Sequence, residues 1–277
     1  MENNHESELL VTTEWLAAHL EDGDTRVVDT RKGDGYEMAH IPGAVRYPAG
    51  VTPFLKENGR APTAERFGAL MSEMGIGDQD LVITYDDGNN LFAARLWWAL
   101  NYYGHRRVKL VDGGWNLWLA EGRLVTDAPV SARPARFTPM INDHCIAEWE
   151  TVKAAIGNPA CGILDDRSDN EWTGVDPMGT KRGGYVPGAV HLEWRETIDQ
   201  ASRRFKPASV LREMFVQLGL SPEKEVITYC QGGIRAAHTA FALQLAGYDQ
   251  VRNYERSWSE WGNREDLPIE RPQGVAK

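Results

Sequence analysis

Glu225-Val226-Ile227-Thr228-Tyr229-Cys230-Gln231-Gly232 repeats, 144 positions later, the stretch Leu81-Val82-Ile83-Thr84-Tyr85-Asp86-Asp87-Gly88. In each copy a short apolar run ends at a polar residue and a glycine, and an Ala- and Leu-rich stretch follows. Such a run, bounded by a Gly-containing loop, reads as a buried strand, and the stretch after it reads as a helix. Working outward, Ile41-Pro42-Gly43-Ala44-Val45 returns as Val186-Pro187-Gly188-Ala189-Val190, and Val28-Asp29-Thr30-Arg31 as Leu164-Asp165-Asp166-Arg167. Trp115 and Trp118 return as Trp258 and Trp261. Four matches in one order, at nearly one separation, mean two domains of one design; a solenoid would repeat at a much shorter period.

Each copy alternates short apolar runs with helical stretches. Strands are expected at Arg26 to Asp29, Leu81 to Tyr85 and Val108 to Val111, and again at Gly162 to Asp165, Val226 to Tyr229 and Val251 to Tyr254. Helices are expected at Thr13 to Leu20, Ala64 to Met74 and Leu91 to Tyr103. This alternation predicts an α/β fold in which each domain is a mostly parallel sheet flanked by helices on both faces. Between the copies, Ala128 to Pro139 carries three prolines and few large apolar residues, the composition of an extended linker. The expected organisation is a first domain over 1–127, a linker over 128–142 and a second domain over 143–277.

The separation of the copies grows from 136 positions at Val28 to 145 at Ile41, so the second copy holds about nine extra residues, around Thr173 to Thr180. That insertion runs into Lys181-Arg182-Gly183-Gly184. Two cations beside two glycines are either a cover for an anion site or a solvated turn.

The bulk composition narrows the function. The chain has 277 residues, 42% hydrophobic and 25% charged, ordinary values for a globular protein. No apolar run approaches a membrane span, so no membrane partner is expected. The polar, acidic start (Met1 to Glu8) is unlike a secretory signal. Three cysteines do not make a disulfide framework, and Cys145, Cys161 and Cys230 are not spaced as zinc ligands, so no metal or other cofactor is expected and a cytoplasmic, reducing setting fits. The net charge of −10, with no basic stripe, argues against nucleic acid.

Cys230 stands at the carboxyl end of an expected strand, where sites lie in parallel sheets. It also precedes a helix N-terminus, whose N–H groups and dipole favour an anion. A free thiol, with a pKa of about 8.5, is only roughly 3% thiolate at pH 7. Lowering that by about two units, worth about 2.7 kcal/mol, would ionise roughly three quarters of it. Backbone N–H groups from Gln231 to Arg235 are candidate sources, with Gly232 and Gly233 letting the chain curl tightly. The plainer alternative is a small buried hydrophobe. Arg235 lies five positions on, at a helix start where a cation opposes the dipole, which marks it as a candidate contact for an anion. His238, on an apolar helix, reads as a core histidine rather than a base. Trp97, Trp98, Trp258 and Trp261 read as core or interface aromatics, and Cys145 and Cys161 as structural.

Over nearly its whole length the chain resembles the tandem-domain rhodanese sulfurtransferases. The marks are the two Asp-x-Arg strand ends, the two Pro-Gly-Ala turns, the Cys230 loop and Asp112-Gly113-Gly114-Trp115. The resemblance implies a persulfide formed on Cys230 of a catalytic second domain, and a non-catalytic first domain with Asp86 in the cysteine's place. It implies substrate contacts from Arg167, Arg182, Arg235, Gln231, Gly232, Gly233 and Ile234. For Arg167 an ion pair with Asp165 or Asp169 remains the alternative. Tyr185, where histidine is common in the family and present as His40 in the first copy, reads as structural.

The implied reaction moves a sulfane sulfur from a small anionic donor to cyanide or to a thiol such as thioredoxin or glutathione. Thiosulfate enzymes of this family place basic residues just after the cysteine, and mercaptopyruvate enzymes carry Gly-Ser-Gly-Val-Thr there. Gln231-Gly232-Gly233-Ile234-Arg235 matches neither. The reading favours thiosulfate, with 3-mercaptopyruvate as the alternative. A cysteine phosphatase is disfavoured, because its loops have the form Cys-x5-Arg and here four residues separate Cys230 from Arg235. A non-catalytic binding module is disfavoured by the retention of Cys230, its glycines and Arg235.

Overall fold

The computed structural model describes residues 8–48, 60–87 and 89–272. They divide into two compact units, Met1–Asn142 with Ile198–Phe205, and Asp143–Thr197 with Lys206–Lys277.

In the first unit the strands are β1 (Leu10–Val11), β2 (Thr25–Asp29), β3 (Val45–Arg46), β4 (Leu81–Tyr85) and β5 (Val108–Val111). They form one sheet in the order β1-β5-β4-β2-β3. Its helices are α1 (Thr13–Ala18), α2 (Gly35–Met38), α3 (Ala64–Glu73), α4 (Leu91–Tyr102) and α5 (Gly114–Ala120). The second unit repeats the plan with β6 (Ile146–Ala147), β7 (Cys161–Asp165), β8 (Val190–His191), β9 (Glu225–Tyr229) and β10 (Val251–Tyr254), in the order β6-β10-β9-β7-β8. Its helices are α6 (Trp149–Ala155), α7 (Asp169–Thr173), α8 (Ala208–Gln217), α9 (Ile234–Leu245) and α10 (Ser257–Trp261). Every pairing within the two sheets is parallel. This is the expected α/β architecture, helices flanking a parallel sheet in each half.

Central strands buried on both faces need continuous apolar runs rather than alternation. That is why Val226-Ile227-Thr228-Tyr229 and Val82-Ile83-Thr84-Tyr85 are fully buried. The same positions fill both cores: Ile83, Tyr85, Trp115 and Trp118 in one, and Ile227, Tyr229, Trp258 and Trp261 in the other. The aromatic residues of the repeat, with Trp97 and Trp98 of α4, are core.

The repeated motifs converge on one polar knot per half. Arg31 donates from Nε and Nη2 to the Asp29 carboxylate at 2.9 and 2.6 Å, while the Tyr85 hydroxyl donates to Asp29 at 2.6 Å. Arg31 also lies over Trp115, 3.9 Å from the ring centre. In the second half Arg167 donates to Asp165 at 2.9 and 2.6 Å and lies 4.3 Å from the Trp258 ring. The Tyr229 hydroxyl accepts from the Val186 N–H at 3.1 Å, which ties in the Pro-Gly-Ala turn. A buried ion pair with these bonds satisfied is tolerated; one partner alone would not be.

Residues 128–142 form no helix or strand until Asp143 begins a short 3₁₀ turn. They lie along the first unit: Phe137 is buried against Phe67, and Met140 and Asn142 donate to the Tyr103 and Tyr102 carbonyls. The excursion Ile198–Phe205 belongs to the same unit, with the Phe205 N–H on Asp112 at 3.3 Å.

Candidate active site

Between Tyr229, the last residue of β9, and Ile234, the first of α9, four residues turn the chain from strand to helix. Gly233 makes that turn feasible. Its φ is 79°, and a Cβ there would stand 2.5 Å from the Glu255 carbonyl oxygen. The loop is pinned on its far side: Trp258 and Ser259 donate to the Cys230 and Gln231 carbonyls, both at 2.9 Å, and Asn253 Nδ2 donates to the Gly233 carbonyl at 2.9 Å. The Cys230 N–H donates to Ser257 Oγ at 3.1 Å, and that hydroxyl donates onward to the Tyr254 carbonyl at 2.6 Å. Ser257 adopts φ 53°, a left-handed conformation that the first half gives to Gly114 at φ 55°.

These restraints aim two donors at one sulfur. Cys230 is 2% exposed, and the N–H groups of Gly232 and Gly233 point at Sγ from 3.3 and 3.0 Å. The N-terminus of the twelve-residue α9 adds its positive end. Such a cradle favours a negative charge on sulfur over a neutral thiol.

The first half shows the cradle filled by a fixed anion. Asp86 stands where Cys230 stands, and its carboxylate accepts from the N–H groups of Asn90, Phe92 and Ala93 at 2.8, 2.9 and 3.3 Å. Among the described residues no group of carboxylates, histidines or cysteines is arranged to hold a metal ion.

Arg235 and Glu171 form a two-point pair, Nη1 to Oε2 at 2.6 Å and Nη2 to Oε1 at 2.7 Å. Glu171 also accepts from the Ser168 N–H and hydroxyl, closing a capping box on α7. Burial alone would raise the Glu171 carboxyl, but the Arg235 bonds and charge, with Ser168, outweigh it and hold it down at about 2. Beside the thiol, Asp166 is wholly buried; its carboxyl oxygens make no well-formed hydrogen bond, and the nearby Thr239 hydroxyl favours their charged form. Burial first, then the charge at Cys230, pushes its carboxyl well above the usual range, while Arg235 works the other way.

The expected site residues thus separate. Gly232 and Gly233 donate to the sulfur, Gln231 and Ile234 belong to the same turn, and both terminal nitrogens of Arg235 are engaged by Glu171. Arg167 is not at the thiol's disposal: it is 0% exposed, paired with Asp165, and its Nη2 donates to the Gly184 carbonyl at 2.7 Å. The structure places Arg167, expected as a substrate contact, in a buried ion pair with Asp165, as it places Arg31 with Asp29 in the first half. Arg182, also expected as a substrate contact, lies at a helix end. Its guanidinium caps the end of α10, donating to the carbonyls of Trp261, Gly262, Arg264 and Leu267. The inserted loop nevertheless reaches the site, since Gln231 Nε2 donates to the Met178 carbonyl at 3.1 Å. His238 is buried edge-on to Trp194, ring centres 5.0 Å apart, as a core histidine. The Cys161 thiol is pushed up to about 11, by burial and then by the Glu225 charge.

Three site residues escaped sequence reasoning: Glu171, Ser257 and Asp166. Ser168-x-x-Glu171 announces a helix start, but not the pairing with Arg235. Ser257 is visible in the repeat as the serine that replaces Gly114. Asp166 carried no signal beyond being a second acid after Asp165.

Comparison with known proteins agrees with this geometry. The model of the rhodanese-like domain matches twice, over residues 12–121 and 148–264. The chain is similar to the sulfur carrier protein TtuD of Thermus thermophilus, 33% identical, with 95% of this chain and 96% of that one covered. It is also similar to the thiosulfate sulfurtransferase of Corynebacterium glutamicum, 32% identical, with 95% and 90% covered. Its fold matches the crystal structure of the anaerobic ergothioneine biosynthesis enzyme of Chlorobium limicola, with a TM-score of 0.88 at 22% identity, over 100% of this chain and 72% of that one. Two matched domains, together with relatives that align end to end, place the chain in the rhodanese family.

Proposed function

We propose that the protein is a sulfurtransferase that takes a sulfane sulfur from thiosulfate onto Cys230 and passes it to a thiophilic acceptor. The observation that carries this reading is the pair of N–H groups, from Gly232 and Gly233, aimed at Sγ from 3.3 and 3.0 Å. The family membership and the sulfurtransferase and sulfur-carrier names of relatives support it.

In the first step the Cys230 thiolate attacks the outer sulfur of thiosulfate. The Sγ–S bond forms, the S–S bond to the sulfonate breaks, and sulfite leaves with the bonding pair. In the second step the acceptor, cyanide or a thiol such as glutathione or thioredoxin, attacks the outer sulfur. Sγ then departs as thiolate, yielding thiocyanate or an acceptor persulfide. The cradle that favours the first thiolate also favours its return as a leaving group, since both are the same charge at the same atom. No proton transfer at sulfur is needed once the thiolate is formed.

The donor alternative is 3-mercaptopyruvate. Thiosulfate is favoured because the loop has Gly232 and Arg235 where mercaptopyruvate enzymes of the family carry Ser and Thr. A cysteine phosphatase is disfavoured on geometry as well as loop length: Arg235 is held by Glu171 instead of closing over the loop.

The test is intact mass after incubation with thiosulfate. A gain of one sulfur atom that disappears with cyanide, and is absent in Cys230→Ser, is expected. A persistent gain in Cys230→Ser would overturn the assignment. Comparing kcat/KM for thiosulfate and 3-mercaptopyruvate ranks the donors, and a preference for mercaptopyruvate reverses the choice made here.

A further inference from the structure

Asp166 directly follows β7, and its N–H donates to the Tyr229 carbonyl at 3.1 Å. The β7–β9 ladder ends with Asp165 opposite Tyr229, so continuing its register sets Asp166 beside Cys230. Paired residues on neighbouring parallel strands face the same side of a sheet. For this pair that is the side of α9, where Thr228, two residues before Cys230, donates to the Ala236 carbonyl. Asp166 is 0% exposed, and its carboxyl oxygens make no well-formed hydrogen bond, the Thr239 hydroxyl being a weak donor beside them. A carboxylate so placed is costly, whereas its neutral acid is tolerated.

The charged and titratable groups around it are few. From β7 comes Asp165, paired with Arg167. From the loop comes Cys230. From α9 come Arg235, paired with Glu171 of α7, and His238, whose ring lies against Trp194; the Thr239 hydroxyl beside them donates to the Arg235 carbonyl. From the 3₁₀ turn Trp194–Thr197, the Trp194 N–H donates to the Asp166 carbonyl at 3.2 Å. Both arginines are committed to other carboxylates. The first half supplies a comparison: Thr30 takes the place of Asp166, and its hydroxyl donates to the Tyr85 carbonyl at 2.8 Å. Where Asp86 fills the cradle, the neighbouring position carries no acid.

We propose that Asp166 is a positioning acid for Cys230, keeping its proton while the thiol ionises, so that an incoming anionic sulfur donor meets one negative charge and not two. This rests on the sulfur-transfer reading of Cys230. The protons balance simply. The thiol proton goes to solvent, the Asp166 O–H bond stays intact through attack and release, and the electron pair moves only between Sγ and the transferred sulfur. Ionisation of Asp166 in alkali then adds a second charge beside the thiolate and repels anions selectively.

The test alkylates Cys230 with neutral iodoacetamide and with anionic iodoacetate across a pH series, using the native protein, Asp166→Asn and Asp166→Thr, with the site of modification read by mass. In the native protein the iodoacetate-to-iodoacetamide rate ratio is expected to fall about fivefold in alkali, the scale of one added charge a few ångströms away in a partly screened site. In both variants the ratio stays flat, and in Asp166→Asn the midpoint of thiol ionisation matches the native one. A flat ratio in the native protein overturns the proposal. So does a midpoint that drops in Asp166→Asn, which would place the resting proton on Cys230 and the charge on Asp166. If the Asn variant does not fold, Asp166→Thr, the residue the first half uses, carries the same comparison. Alkylation needs no sulfur donor, so failure of the sulfur-transfer reading is seen separately, in the mass experiment above.

Discussion

Ser257 Oγ accepts the backbone N–H of Cys230 at 3.1 Å from a left-handed conformation, φ 53°, that serine does not favour. The strain and the hydrogen bond oppose each other, which makes the position separable by mutation. Ser257→Gly relieves strain of about 1 kcal/mol or more but removes the hydroxyl, orphaning a buried N–H at a similar cost. Thermal stability should change little while turnover falls, because the loop loses its anchor. Ser257→Ala keeps the strain and loses the bond, and should lower stability by about 1–3 kcal/mol as well. Thermal unfolding and thiocyanate production on the two variants check this.

The Glu171–Arg235 pair gives the fold a pH dependence with a definite sign. The Glu171 carboxyl is held at about 2 in the folded chain against an ordinary 4.5. Its stabilisation is therefore complete above about pH 4.5 and is lost as pH falls toward 2. Glu171→Gln should cost about 3 kcal/mol at neutral pH, leaving Arg235 with half its contacts, and the gap from the native protein should narrow steadily on acidification. Unfolding midpoints at pH 7 and pH 3 measure it; an equal gap at both would contradict the assignment.

Arg167 separates two roles for the Asp-x-Arg motif. A substrate arginine, once truncated, raises KM in a folded enzyme. A buried partner of Asp165 instead takes the fold with it, since an unpaired buried carboxylate costs about 3–5 kcal/mol. Arg167→Ala should give little folded protein, and the fraction that folds should show a native KM for thiosulfate.

Cys161 serves as an internal control for thiol chemistry. With its thiol pushed up to about 11, it should resist iodoacetamide at neutral pH while Cys230 reacts. Cys161→Ser should leave turnover unchanged. Peptide mapping after a timed alkylation decides both points.

Much of this was legible before the fold was known, because the chain states its design twice. The repeat predicted two parallel sheets, and the strand–glycine–helix pattern placed Cys230 at a helix N-terminus. For Arg167 the sequence shows a cation after a strand end but not which carboxylate it faces. Asp29 and Arg31, in the half without a cysteine, already held the answer: a motif kept in both halves serves the fold. The placement of Arg182 was illegible for a related reason, since the carbonyls it caps lie about eighty residues downstream. Glu171 and Asp166 were invisible as site residues because their importance comes from register and from burial, neither of which a linear spacing displays.

Asp86 fixes the stoichiometry of the molecule. A carboxylate bonded to three N–H groups occupies the only position in the first half equivalent to Cys230. A carboxylate cannot accept a sulfane sulfur as a persulfide. If Cys230 carries the sulfur as proposed, the two homologous halves hold a single transferable atom between them, and a cyanide titration of the loaded chain should end at one equivalent.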